Sequence, residues 1–290
     1  MTSTARQSSF ALCIIAWFAL LLQLNLSVGM TAASGKPALM GVVIYLGYFT
    51  VLTNLFVALA LLLPLVAPDS GIGRFAARPT VQGCAVNAIL LVGIGYHLLL
   101  RHVWNPQGMQ WIADMLLHYV MPILFFLHWL LVLPARRLAW SAPLVWCVYP
   151  VGYIVYALAR GEVLQSYPYP FIDVTAIGYS QSLLNAFGLL VCFVVLGLIL
   201  VAVSNARARR AGLSTGAQSA HWPQLPQSGH ALGDQHREEA ERGEQRPLEN
   251  DPAEATVFHL PGARVEREGH AGHQQEKQDR PAKKQHRFGE

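Results

Sequence analysis

The chain has 290 residues, 53% of them hydrophobic and only 13% charged, with a formal net charge of +4. A soluble domain carries about 25% charged residues, so this composition excludes an ordinary water-soluble globule and points to a membrane protein. The average hides two different polymers: of the 21 Lys and Arg and 17 Asp and Glu, only 12 fall in residues 1–204. The positive balance comes mostly from arginines flanking apolar runs, which gives no reason to invoke nucleic acid as a partner.

The first run, Phe10 to Met30, follows a short head carrying only Arg6. It exceeds the 7–15 residues of a signal-peptide core and is read as an uncleaved first span, although Thr31 to Ser34 resembles a cleavage region. The second run, Ala38 to Val66, holds Tyr45, Tyr48, Thr50, Thr53 and Asn54 near its centre. Positions 50, 53 and 54 are related by i, i+3 and i+4, so one continuous helix would put their polar groups on a single face turned into the bundle. A Gly- and Arg-bearing loop from Ala67 to Pro79 leads to a third span, Thr80 to Leu100, ending in Tyr96-His97.

The fourth run, Ile112 to Leu133, contains Leu116-Leu117-His118-Tyr119-Val120-Met121-Pro122. An ionisable group inside a span is expensive and usually faces a bundle interior or a wet cavity, which makes His118 the first candidate for chemistry; a neutral imidazole also serves simply to bond a neighbouring helix. Asp114 lies one turn earlier, placed either to orient the imidazole or to favour the positive end of the helix dipole. His128, with no polar neighbour in sequence, reads as a packing residue that bonds across helices.

A fifth span is predicted at Ala139 to Leu158, rich in Trp and Tyr, then a long loop carrying Tyr167-Pro168-Tyr169-Pro170-Phe171-Ile172-Asp173, then a sixth span from Ser182 to Ser204. Six spans put both termini on one side. Eight basic residues on that side (Arg6, Arg74, Arg78, Arg136, Arg137, Arg207, Arg209, Arg210) against Lys36, Arg101 and Arg160 on the other make that side cytoplasmic. Cys13, Cys84, Cys147 and Cys192 sit in separate apolar segments without metal or redox spacing and read as small hydrophobes. Residues 211–290 show no sustained apolar periodicity; they read as a disordered polar tail whose seven irregularly spaced histidines need no metal. The expected architecture is all-α: a six-helix transmembrane domain over residues 1–210 with that tail behind it.

A threonine hydroxyl becomes a nucleophile when a base takes its proton, and histidine is the side chain suited to that near neutral pH. A Thr/His pair between helices would serve acyl transfer or ester hydrolysis, with Asp114 orienting the ring and Asn54 or a tyrosine donating to the oxyanion. Threonine in membrane helices also bonds its own i−4 carbonyl, so the residues alone leave both roles open.

Phe49-Thr50 with Thr53-Asn54, then His118 to Pro122, then Gly152-Tyr153-Ile154, then Tyr169 to Asp173 occur in this order over about residues 40–200. This series resembles the androgen-induced gene and androgen-dependent TFPI-regulating protein family, and the chain is similar to that family's bacterial relatives. The resemblance implies a multispanning hydrolase of the bacterial inner membrane that acts on lipid esters of the fatty acid ester of hydroxy fatty acid type, with Thr50 as nucleophile and His118 as base. Asn54, Asp114, Thr53, Tyr169 and Asp173 are the supporting or orienting candidates, the expected partners are membrane lipids and the ester substrate, and neither cofactor nor metal is expected. Departures from the eukaryotic pattern are a histidine-to-proline interval one residue shorter, a second threonine at Thr53, and the C-terminal tail. The alternative class is a non-enzymatic spanning protein, a small-molecule transporter or binding scaffold; a transporter would show repeated interrupted helices and several central charges, whereas Asp114 is the lone acid near a span.

Overall fold

The computed structural model describes residues 3–212, and the tail expected at 211–290 falls, from residue 213 on, outside the described residues. Among the described residues there is no strand, and six helices are long and apolar enough to cross a membrane. The chain runs α1 (Ser3–Ala33), α2 (Ala38–Tyr45), α3 (Phe49–Val66), α4 (Gly71–Ala76), α5 (Pro79–Leu100), α6 (Met109–Val132), α7 (Ala142–Leu164) and α8 (Val174–Arg210). All but α2 and α4 are the candidate spans, giving the multi-pass membrane bundle that the apolar runs predict.

Helix boundaries follow local chemistry. Pro79 opens α5, where its missing N–H would have no helical partner anyway. Asp173 caps α8 by accepting from the Thr175 N–H at 3.0 Å. Five residues after Asp173, α8 kinks at Gly178, whose φ of 74° a side-chain-bearing residue adopts only with strain.

The centre of the bundle is α5, which packs against α3, α6 and α8; α1 packs on α2, α3 and α6. Small, fully buried residues line these seams: Ala16 and Ala19 on α1, Ala58 on α3, Ala85 and Ala88 on α5. Lipid tails are as apolar as leucine, so close approach through small residues and buried polar ties hold such helices together. Asn87 supplies one tie, its Nδ2 donating to the Phe193 carbonyl at 3.0 Å. The outer surface is the reverse of a soluble protein's, with Phe10, Ile14, Phe18 and Leu21 of α1 and Leu184, Phe187, Val191 and Val195 of α8 exposed. The N-terminal turns of α1 and the C-terminal turns of α8 border one cavity, so both lie at the same end of the bundle.

The run 38–66 departs from expectation: it is two helices, not one. The chain breaks at 46–48, and the carbonyls freed there are taken by α7, where the Tyr156 hydroxyl donates to Leu46 (3.2 Å) and the Tyr153 hydroxyl to Gly47 (3.0 Å). Arg160 Nη2 adds a bond to the Val43 carbonyl at 3.2 Å. An aromatic corner thus offers the backbone what continued helix would have supplied. As a result Thr50 stands in the first turn of a helix rather than mid-span. The sixth span also starts earlier than Ser182, because the Asp173 cap sets it going at Val174.

Candidate active site

Three elements converge on Thr50. It lies in the first turn of α3, where backbone N–H groups lack intrahelical acceptors and the helix dipole is positive. From α6 comes His118, whose Nε2 sits 3.2 Å from Thr50 Oγ1. From the α7–α8 loop comes Tyr169, whose hydroxyl accepts the Thr50 N–H at 3.2 Å and lies 3.3 Å from Thr50 Oγ1.

The proton positions follow from donor and acceptor chemistry. His118 Nδ1 meets the Asp114 carbonyl oxygen at 3.0 Å and the Asp114 carboxylate at 3.2 Å. A backbone carbonyl only accepts, so Nδ1 carries the proton and Nε2 turns its lone pair to Thr50. The Thr50 hydroxyl donates to that lone pair, which leaves the Tyr169 hydroxyl to donate to Thr50 Oγ1. Asp114, imidazole, threonine and tyrosine form one continuous relay.

The imidazole is held flat against the Tyr96 ring, with centroids 4.0 Å apart and planes 19° from parallel. The Tyr96 hydroxyl also bonds the Asp114 side chain, so α5 fixes both members of the α6 pair. Residues 116–120 form a π turn in which the Met121 N–H reaches back five residues to Leu116. Pro122 follows with no N–H to give the His118 carbonyl. Gly93 of α5 packs on that carbonyl; a Cβ there would come within 3.1 Å of it and 3.2 Å of Pro122. π turns often mark functional positions because they re-aim side chains that a regular helix would point elsewhere.

The loop bearing Tyr169 is stapled down. Glu162 accepts from the hydroxyls of Tyr167 (3.0 Å) and Tyr179, and Arg160 Nη1 holds the Ser166 carbonyl at 3.2 Å. The Tyr169 ring stacks on Phe171 at 5.1 Å and meets Tyr48 edge-on at 5.7 Å. Burial pushes the Tyr169 phenol up to about 12, so it is a neutral proton donor at any ordinary pH.

Two cavities meet at this relay. One, of about 330 Å³, is lined by Thr50, Asp114, His118, Gln23, Gln110 and Trp104 among others. The second, of about 280 Å³, is walled by Leu91, Leu99, Ile154, Leu183, Phe187 and Leu190, with Thr50, Tyr96, Leu100 and Tyr169 shared between the two. Thr50, 7% exposed, therefore presents its hydroxyl at a junction of apolar space.

Of the other sequence candidates, Thr53 does not reach the imidazole: its Oγ1 bonds Tyr149 at 3.0 Å and the side chain is fully buried. Asn54 donates through Nδ2 to the carbonyls of Thr50 (2.9 Å) and Leu117 (3.2 Å), so both its donors are used. It ties α3 to α6 and has no proton left for an oxyanion. Asp173 takes the cap of α8, its Oδ1 accepting from Thr175 Oγ1 at 2.6 Å, and lines neither cavity. The shared polar face expected of 50, 53 and 54 is divided among three different neighbours. Sequence reading missed Tyr96, whose stacking partner comes from another helix, and Gln110, which meets Gln23 at 2.8 Å in the cavity wall. The adjacency of Tyr96 to His97 at the end of a span was the one available signal. Among the described residues no cluster of His, Cys, Asp and Glu could hold a metal.

No family model, curated protein or solved structure matches the chain.

Proposed function

We propose that the protein is an intramembrane lipid-ester hydrolase in which Thr50 is the nucleophile and His118 the base. The observation that carries this reading is the single relay Asp114–His118–Thr50–Tyr169 placed where two cavities join. In the acylation step, Thr50 Oγ1 attacks the ester carbonyl as its proton passes to His118 Nε2. The oxyanion forms beside the positive end of α3 and the Tyr169 O–H, which leaves Thr50 Oγ1 as that oxygen bonds the carbonyl carbon. The imidazolium, stabilised through Nδ1 by Asp114, returns the proton to the departing alkoxide and an alcohol leaves. Water then attacks the threonyl ester with His118 again as base, releasing a carboxylic acid and restoring Thr50.

Two apolar cavities on either side of the nucleophile suit an ester with one chain on the acyl side and one on the alcohol side, in keeping with the resemblance to hydrolases of fatty acid esters of hydroxy fatty acids. The distribution of basic residues supports a reading in which both termini lie in the cytoplasm and the relay lies toward the outer leaflet, the bacterial inner membrane being what the family resemblance implies. A reporter active only outside the cytoplasm should then work after Gly108 or Ser166 and be silent after Arg137; the opposite pattern would turn the protein over.

One observation favours a second reading, a lipid-binding scaffold without chemistry: the Tyr169 hydroxyl donates to Thr50 Oγ1 at rest, which lowers its nucleophilicity. Labelling of the purified full chain with a lipid-like fluorophosphonate separates the two. The hydrolase labels at Thr50 and loses the label in Thr50→Ala and His118→Ala, whereas a scaffold does not label.

A further inference from the structure

The end of the bundle opposite the relay encloses a cavity of about 520 Å³, within the range of small-molecule sites. Its walls come from Ala5 and Ser9 of α1, Ala60 and Leu61 of α3, the last turns of α6, and Ser204 and Arg207 of α8. They are largely apolar, yet the charged groups that border them are both cations, Arg207 and Arg136. None of the four carboxylates among the described residues lines it. Asp114 is engaged with His118, Glu162 with two tyrosines and Asp173 with its helix cap, and Asp69 lies outside the cavity wall.

Arg207 is held in place before any ligand arrives. The end of α6 is a π turn, 128–132, followed shortly by Pro134, so the Trp129 and Leu133 carbonyls lack helical donors. Arg207 Nη1 and Nη2 take those carbonyls at 3.2 and 3.1 Å, and the guanidinium lies 5.7 Å over the Trp129 ring. That uses two of its five N–H donors. A half-buried guanidinium with donors to spare and, among the described residues, no carboxylate in the cavity wall beside it is costly unless a counter-charge completes it. In the same wall, His128 is 4% exposed and its Nδ1 has no partner among the described residues, while Nε2 meets Ser9 Oγ at 3.2 Å.

We infer that this cavity binds one anionic amphiphile, its carboxylate or phosphate head between Arg207 and Arg136 and its hydrocarbon against Leu61, Trp129 and Leu133. Charge selects an anion, the apolar wall selects an amphiphile over a free ion, and the volume suits one small molecule. This site is independent of the chemistry at Thr50, so neither reading falls with the other.

Trp129 in the wall supplies the readout. Bromine on an alkyl chain quenches a tryptophan that it touches, so the full chain in neutral detergent at pH 8 is titrated with a brominated fatty acid, its methyl ester, a brominated lysophosphatidic acid and inorganic phosphate with bromide. Saturable quenching by the fatty acid, the lysophosphatidic acid or both is expected, and which one binds tells carboxylate from phosphate. Trp129→Phe should remove that component. Arg136→Gln and Arg207→Gln should each weaken binding about tenfold or more, while Arg207→Lys keeps the charge and should stay within about threefold. Because Arg207 also caps α6, Arg136→Glu is the deciding variant if Arg207→Gln lowers the melting temperature; Arg136 is exposed and its replacement leaves the bundle intact. Equal quenching by the methyl ester, quenching by neither acid, or full binding in Arg136→Glu would overturn the proposal.

Discussion

Two histidines on α6 meet hydroxyls from other helices at the same distance, 3.2 Å, and each stands in a π turn. His118 has its second nitrogen on the main-chain and side-chain oxygens of Asp114, whereas the second nitrogen of His128 is buried without a partner among the described residues. An imidazole that takes a proton needs its new charge stabilised, so the first pair has the arrangement that the proposed base catalysis requires and the second lacks it. What separates them is not the hydroxyl–imidazole contact, which both have, but the acceptor behind the ring and the helix N-terminus in front of it.

The two pairs should differ most at their hydroxyls. Thr50→Val or His118→Ala should lower ester turnover by on the order of 10³-fold or more, and the double variant should cost little beyond either single change because the two act as a unit. Ser9→Ala, at the other pair, should keep both turnover and fluorophosphonate labelling. Loss of labelling in Ser9→Ala with retention in Thr50→Val would exchange the roles of the two ends.

Tyr169→Phe removes the O–H that serves the oxyanion and should reduce turnover by about 10²-fold with binding of substrate little changed. Asp114→Asn should cost less, about 10- to 100-fold, since the Asp114 main-chain carbonyl still holds the Nδ1 proton and preserves the tautomer. A loss as large as that of His118→Ala would mean that the carboxylate, not the carbonyl, governs the ring.

The pH profile sharpens the same contrast. Raising the pH brings no loss from Tyr169, whose phenol keeps its proton up to about 12. A bell-shaped profile with an alkaline limb below that value would assign the oxyanion donor to another group. The smallest effect is expected at Thr53→Val: turnover within about twofold, and about 1 kcal/mol of stability lost with the Tyr149 bond, read by thermal unfolding in detergent.

Much of the architecture was legible from residues alone, because a span of a lipid bilayer needs about 20 apolar residues and leaves an unmistakable run. Six runs became six spanning helices, and His118 stood out because an ionisable group inside such a run is expensive. The pairing of Thr50 with His118 was suggested by residue type and by the resemblance, yet Thr50 and Thr53 could not be told apart, since one uninterrupted helix would have set them on a common face. Only the tertiary structure decided between them. Tyrosines and an arginine of α7 take the carbonyls of Val43, Leu46 and Gly47, the run breaks before Tyr48, and Thr50 falls in a helical first turn while Thr53 faces Tyr149. The stacking of Tyr96 on His118 and the arginine-bordered cavity at the far end have no local signature either, because each is assembled from helices distant in sequence. Hydropathy is a property of a segment and survives in the sequence; the partner of a buried polar atom is a property of the packing, and only folding assigns it.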